Sequence, residues 1–241
     1  MRSLKIFVSG LVKKAVFGAF LMAFVFPTTG CSTVKSEDVE TGRIWATFIV
    51  DHHENDHVTA WAVFRTGGPM GRILELTGGD YIECNGTLLN EYYDPVTGYH
   101  WVRSSVAMDQ DGLYVFDFIR PGRVISTTAN MGEIPHVIGT DPEESMSQTD
   151  SLTVFWDASS PGHGVTIDVE GECIYAKHIN NVDDNGEYKI NYIHDRSGAD
   201  DCLITVTVTR STQGFVNFNF EGGYTQTNRK DSTTLFYSTL R

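Results

Sequence analysis

Short runs in which apolar and polar residues alternate one for one recur along most of this chain, and they restrict its fold more than any other feature. Val165, Ile167 and Val169 alternate with Thr166, Asp168 and Glu170, and segments 203–209 and 215–220 repeat the pattern. Leu152, Val154 and Trp156 make another such face, as do Tyr188, Ile190 and Tyr192. Period two with one apolar side describes a strand in a sheet that is covered on one face. In the first half the strand candidates are 44–50, 58–65, 73–77, 81–84, 100–108 and 113–119.

Between these runs lie Gly67-Gly68-Pro69, Gly78-Gly79, Asn85-Gly86, Asp111-Gly112, Asn185-Gly186 and Gly222-Gly223. Asn-Gly and Asp-Gly suit hairpin turns that need positive φ. Many short strands about ten residues apart, with no amphipathic helix among them, predict an all-β chain of antiparallel sandwiches. Residues 124–150 are rich in Gly, Pro, Thr, Ser, Asp and Glu, which is linker composition. The expected division is therefore a first β-sandwich domain at 41–123, a linker at 124–150 and a second β-sandwich domain at 151–241. One larger sandwich, with 124–150 as an inter-sheet crossover, is the alternative.

The N-terminus carries an address. Arg2, Lys5, Lys13 and Lys14 precede an apolar run at 15–26, which is followed by Pro27, Thr28, Thr29, Gly30 and Cys31. A cationic start, an apolar stretch of about a dozen residues and small residues before a cut describe a secretory signal. The stretch is short for a membrane span. Thr28-Thr29-Gly30-Cys31 resembles the lipobox of bacterial lipoproteins, with Thr28 where those proteins usually carry Leu. The resemblance implies a signal peptide at 1–30, lipid on Cys31 and a lipidated tether at 31–40. Two or more acyl chains hold a protein on a membrane because each buried methylene contributes about 0.8 kcal/mol. Ser32, in place of the Asp of inner-membrane lipoproteins, implies the outer membrane of a Gram-negative envelope. An ordinary signal cut nearby, leaving Cys31 a spare thiol, is the alternative.

The charge limits the partners. The whole chain is at −13, and loss of residues 1–30 leaves 14 basic against 31 acidic residues, a net −17. Such a surface repels nucleic acid, which is bound mainly through Lys and Arg on phosphates. With Cys31 set aside, Cys84, Cys173 and Cys202 remain. An oxidising compartment permits a disulfide, and Cys173 and Cys202 lie in neighbouring strand patterns of one half while Cys84 lies in the other. The expected pair is Cys173 with Cys202, and Cys84 is expected as a buried thiol.

The segments Leu74-Glu75-Leu76-Thr77-Gly78-Gly79-Asp80, Asn85-Gly86, the run from Gly112 to Pro121, Leu152-Thr153-Val154-Phe155-Trp156-Asp157 and the Cys173/Cys202 pair together resemble uncharacterised bacterial envelope lipoproteins with immunoglobulin-like β-sandwich regions. The resemblance implies two Ig-like sandwiches and supplies no catalytic residue. Its expectation is a lipid-anchored envelope protein that acts without catalysis as a structural or protein-interaction module. The alternative is a carbohydrate- or cation-binding module.

Three clusters are candidates for chemistry. Asp51, His52, Asp56 and His57 fall in one stretch between two strand candidates, and imidazole with carboxylate ligates zinc, copper or nickel. A solvated hairpin loop is the competing expectation. Tyr92, Tyr93, Tyr99 and Trp101 are the candidate ligand-binding residues, because exposed aromatic platforms on sandwiches hold sugars or proteins by stacking and apolar burial. Asn181, Asp183, Asn185 and Gly186 open like a calcium loop, but Tyr192 stands where a bidentate Glu is needed. The Gly-x-Ser-x-Gly elbow, the His-Glu-x-x-His helix, the Walker loop and the dinucleotide glycine pattern are all missing, so neither an enzyme nor a cofactor is expected.

Overall fold

The computed structural model describes residues 33–53, 57–147, 150–159, 164–196 and 200–238. Residues 1–30, expected to be a signal peptide, and Cys31 lie outside them. All belong to one compact unit, Cys31–Arg241. Eighteen strands follow in chain order. The first ten are β1 (Val34–Lys35), β2 (Ile44–His52), β3 (Val58–Thr66), β4 (Arg72–Glu75), β5 (Tyr81–Cys84), β6 (Thr87–Leu88), β7 (Asn90–Asp94), β8 (Tyr99–Val106), β9 (Leu113–Arg120) and β10 (Arg123–Asn130). The remainder are β11 (Val137–Asp141), β12 (Ser145–Ser147), β13 (Leu152–Trp156), β14 (Gly164–Gly171), β15 (Lys177–Asp183), β16 (Glu187–Ile190), β17 (Cys202–Phe215) and β18 (Gly222–Ser238). The chain is all-β as expected. No helix among the described residues is long and apolar enough to cross a membrane.

Two apolar cores form, each between two sheets. In the first, Phe48 of β2 and Phe64 of β3 meet Phe116 and Phe118 of β9, with ring centroids 4.9 and 5.0 Å apart. Ala60 and Ala62, small residues on the same inner face of β3, leave room for these rings. In the second, Leu152, Val154 and Trp156 of β13 pack on Val165, Ile167 and Val169 of β14 and on Ile204, Val206 and Val208 of β17. The alternating runs at 152–156, 165–170 and 203–209 supply the second core's inner faces, whereas 216–220, expected within a strand, forms the turn between β17 and β18, with Phe218 exposed and Phe220 buried in the first core. The Asn85-Gly86 turn between β5 and β6 has φ of 47° and 77°, the left-handed pair that a tight hairpin requires.

One sheet of eleven strands joins the cores. The long hairpin of β17 and β18 pairs along fourteen registered positions, and it serves both halves. Residues Gly222–Arg229 of β18 pair in parallel with β2, while Ser145–Ser147 pair in parallel with the far end of β18. The sheets are thus antiparallel in the main, with three parallel pairings where distant segments meet.

Two expected boundaries give way. Residues 124–150 are not a linker: β10 pairs along its whole length with β9, β11 pairs with β13, and β12 joins β18. Ile125, Thr127, Ala129 and Met131 alternate as a buried face, but Ser, Thr and Asn between them masked the pattern. Nor is all of 31–40 a tether. Val34 and Lys35 pair in parallel with Leu74 and Glu75, Ser36 is fully buried and Val39 enters the first core. Arg120 holds this segment: Nη2 donates to the Ser36 carbonyl (2.7 Å), and Nη1 donates to the Val39 carbonyl (2.7 Å) and to Thr41 Oγ1 (3.2 Å). Its charge is met by Asp80 at 3.0 Å.

The second core has its own polar lock. Arg210 Nε and Nη2 donate to the two Asp184 oxygens (2.6 and 3.0 Å), and Trp156 Nε1 donates to Oδ1 (2.8 Å). Burial alone would raise the Asp184 pKa, but the bonds from Arg210 and Trp156 outweigh it and hold the carboxyl below its usual value. That use of Asp184 gives the turn between β15 and β16 a structural role.

Candidate functional site

Strand alternation places two different populations on the two sides of the first core's large sheet. The inner side is the Phe and Ala face already described. The outer side carries residues of the opposite parity, and the register aligns them in rows. One row runs Tyr92–Trp101 across β7 and β8. Its neighbour runs Asn90, Arg103, Trp61, Ile49, Gln226 and Gln213, across six strands. The next runs Ser105, Thr59, Asp51, Asn228 and Ser211. Three of the chain's four tryptophans, Trp45, Trp61 and Trp101, stand on this solvent side rather than in a core.

The side chains enclose an open cleft of about 660 Å³ lined by Asp51, His53, His57, Trp61, Trp101 and Arg103, with Thr59 and Tyr99 completing the wall. That size falls within the range of small-ligand sites. The rings are braced. Tyr92 and Trp101 stack with centroids 6.0 Å apart and planes 12° from parallel. The Arg103 guanidinium lies 5.7 Å from the Tyr92 ring, and that of Arg65 lies 5.3 Å from the Tyr99 ring while donating to its hydroxyl (3.0 Å). Each such cation–π contact contributes about 0.5–1 kcal/mol at an exposed site. Trp61 Nε1 donates to Asp51 Oδ2 (2.9 Å), and Asn228 Nδ2 donates to Asp51 Oδ1 (2.6 Å). Asp51 therefore fixes the Trp61 ring against the sheet. Ile49 and Val63, on the same outer side, are only 6% and 4% exposed because the larger neighbours cover them. Trp45 lies over Gly222, where a Cβ would come within 2.6 Å of the ring, so Gly222 is what admits it.

Of the four aromatic residues expected to bind a ligand, the structure brings three together: Tyr92, Tyr99 and Trp101. Tyr93 points to the other side of the β7–β8 ribbon, beside His100 with centroids 4.5 Å apart, because alternation reverses successive residues. Trp61, Arg103 and Asn228 were missed. Val58–Thr66 has apolar residues on both faces, so its sequence does not say which face is inside.

The expected metal ligands are not assembled as a set. Asp51 and His52 are successive strand residues on opposite faces; Asp51 lies in the cleft, whereas His52 is buried on the inner side. His57 Nε2 is 3.0 Å from Ser105 Oγ and its ring is 5.6 Å from that of His53. Asp56 lies outside the described residues. No group of three or more His, Cys, Asp or Glu able to hold a metal occurs among the described residues.

Cys173 and Cys202 form the expected disulfide, tying the end of β14 to the start of β17. Cys84 is free and fully buried; burial, and then the nearby Asp117 charge, push its thiol up to about 12. The cleft offers stacking faces, the Arg103 guanidinium, the Asp51 carboxylate and the imidazoles of His53 and His57.

No family model matches the chain, and no curated protein matches it. Among solved structures, the chain is similar to a titin structure, Titin-A168169, at 12% identity over 81% of this chain and 96% of that one, with a TM-score of 0.22. It is similar also to murine CEACAM1b, at 10% identity over 81% of this chain and all of that one, again with a TM-score of 0.22. Superpositions this loose carry neither fold nor function, and the all-β assignment stands on the chain's own sheets.

Proposed function

We propose that this protein is a non-enzymatic interaction module of the bacterial cell envelope, anchored by lipid on Cys31, with a partner protein bound on the outer face of its first sheet. One observation carries the binding part: Trp61, Trp101 and Tyr99 line an open cleft in place of a core, with Tyr92 stacked on Trp101 and the guanidinium groups of Arg65 and Arg103 bracing the rings. Trp, Tyr and Arg are the residues that dominate the energetics of protein interfaces, where they bury large area with few rotatable bonds. The cationic N-terminal stretch and the Gly30-Cys31 junction support export and anchoring.

A photo-crosslinking residue at Gln226, on the cleft's border, tests the binding part in intact cells. The expected result is a discrete adduct with an envelope protein that disappears in Trp61→Ala and Trp101→Ala proteins of unchanged stability. Adducts indifferent to both substitutions would refute the assignment of this face. Intact mass spectrometry tests the anchor: acyl mass on a chain that begins at Cys31 is expected, and a chain that begins elsewhere without acyl groups would refute it.

The near-parallel Tyr92 and Trp101 rings favour one second reading, a glycan laid across them with Gln226, Asn228 and Arg103 bonding to its hydroxyls. Titration with envelope polysaccharide fragments separates the two. Saturable binding lost in Trp101→Ala would select the glycan, and flat titrations would remove it.

A further inference from the structure

Among the described residues, four large apolar side chains are more than 90% exposed: Met70, Phe218, Phe215 and Val96, at 91–93% each. Isolated apolar residues on a surface need no explanation, but a group of fully exposed ones does. These four share one end of the first core. β3 ends at Thr66, β8 begins at Tyr99 and β18 begins at Gly222, and the antiparallel and parallel registers put those three termini at the same edge of the sheet. The β3–β4 turn with Met70, the β7–β8 turn with Val96 and the β17–β18 turn with Phe218 therefore project together, and Phe215 closes β17 beside the last of them.

The N-terminal segment leaves at that end too. β1 runs parallel to β4 with Val34 opposite Leu74, so the chain traced backwards from Val34 heads towards the β3–β4 turn. Thr33 lines the same small cleft as Met70, Gly71 and Gly98. Because Arg120 holds 36–41 down, only three peptide steps separate Val34 from Cys31, a reach of about 10 Å at most. A lipid on Cys31 would hold this end against the bilayer.

We propose that this end of the first core is a membrane-contact surface whose Met70, Val96 and Phe218 tips enter the interfacial layer of a phospholipid bilayer. Interfacial apolar groups reach about 5–10 Å into the headgroup and acyl boundary. Charges near the tips are of both signs, Arg72 and Arg123 against Glu40 and Glu221, so apolar insertion rather than attraction to anionic lipid drives the contact. The inference deepens the anchoring part of the proposed function and leaves the aromatic cleft untouched.

The test uses the full chain, made with its signal and placed in phosphatidylcholine vesicles. Met70→Cys, Val96→Cys and Phe218→Cys each carry a polarity-sensitive dye, with Ile138→Cys, exposed on the second core, as the control. Cys84 is buried and Cys173 and Cys202 are bonded, so they take no dye, and the parent protein labelled in parallel reports Cys31. The expected result is a several-fold rise and blue shift of emission at positions 70, 96 and 218, quenched by nitroxide on the lipid acyl chains, with none at 138. Tips that stay aqueous in vesicles overturn the proposal, as does a blue shift without lipid that grows with protein concentration, which would assign this end to a second copy. Acylated Cys31 with aqueous tips would sink the contact surface alone; an unacylated Cys31 with quenched tips would sink the anchor alone.

Discussion

Replacing Arg120 by Met should free the N-terminal segment from the first core without unfolding that core. The guanidinium makes three hydrogen bonds to the segment, to the Ser36 and Val39 carbonyls and to Thr41 Oγ1, in addition to its Asp80 pair. Hydrogen bonds to a charged group contribute roughly 1.5–3 kcal/mol each. Three at the low end make about 4.5 kcal/mol. The freed carbonyls regain water once the segment lifts, which reduces the net cost to about 3 kcal/mol, a factor of about a hundred in an opening equilibrium. Release also restores backbone entropy of about 1–2 kcal/mol per residue over 34–41, so local opening comes before global unfolding. Hydrogen exchange reads this directly. The Val39 amide, which donates to the Ser36 carbonyl (3.0 Å), and the Thr77 amide, which donates to Ser36 Oγ (2.9 Å), should exchange about a hundredfold faster in Arg120→Met, while β2, β3 and β9 keep their protection. Asp80→Asn keeps the three bonds to the segment and should preserve most of the protection. Unchanged exchange in Arg120→Met, or loss of protection across the core at the same rate, would refute the clamp. Without it, the reach from Cys31 to the sheet grows from about 10 Å to roughly 45 Å, because 13 peptide steps then lead to Ile44.

Arg210→Met leaves the Asp184 carboxylate buried without its partner, which costs about 3–5 kcal/mol and should lower the melting temperature by about 10 °C; a shift below 2 °C would refute the lock. Asp184 has a depressed folded pKa, so its contribution is full at neutral pH and is lost as pH falls through that folded value; acid titration of Asp184→Asn should lack this part of the acid limb. Reduction of Cys173–Cys202, which closes a loop of 29 residue separation, should cost about 3–4 kcal/mol by chain entropy, seen as a lower urea midpoint in reductant. His178 is raised by its hydrogen bond to Asp168 and then by that charge; its stabilisation is present below the unfolded imidazole pKa and lost as pH rises through the folded one, and an NMR titration of Asp168→Asn should return it towards the ordinary value. Cys84 should resist a thiol reagent at pH 8 in the native protein and react fully in urea, since burial holds its thiol pKa near 12.

Period two was enough to identify the class, because several inner faces carry an uninterrupted apolar stripe, such as Val165, Ile167 and Val169 or Leu152, Val154 and Trp156. It failed where small polar residues do the same work. Ser126, Thr128 and Asn130 alternate with Ile125, Thr127 and Ala129 in β10, and buried Thr127 is satisfied by the Asn217 amide, a partner 90 positions away. The cleft was half legible for a related reason. Tyr92, Tyr99 and Trp101 lie close in sequence, whereas Trp61, Asp51 and Asn228 are brought to them by the pairing of β3, β2 and β18. The parallel register of β18 with β2 joins residues 177 positions apart, as in Asn228 with Asp51, and no local pattern encodes that meeting. Asp51 and His52 show the reverse error. Adjacent residues suggested one ligand set, but a strand sends them to opposite faces.

The geometry of the first sheet ties the two proposed surfaces together. The cleft extends along β8 from Tyr99, next to the exposed turns, to Arg103, four residues away and about 13 Å along the strand. Its opening is on the sheet's face, whereas the turns are at the sheet's edge. With the turns in the bilayer interface, the strands stand away from the membrane and the cleft faces sideways, within roughly 20 Å of the lipid. A partner would then have to approach along the membrane rather than from above it. The Arg120 clamp sets that arrangement: with 36–41 held down the cleft stays near the surface, and with the segment released the same face could swing tens of ångströms away. Binding measured on vesicles should therefore respond to Arg120→Met for a membrane-bound partner, and should not respond for a partner free in solution.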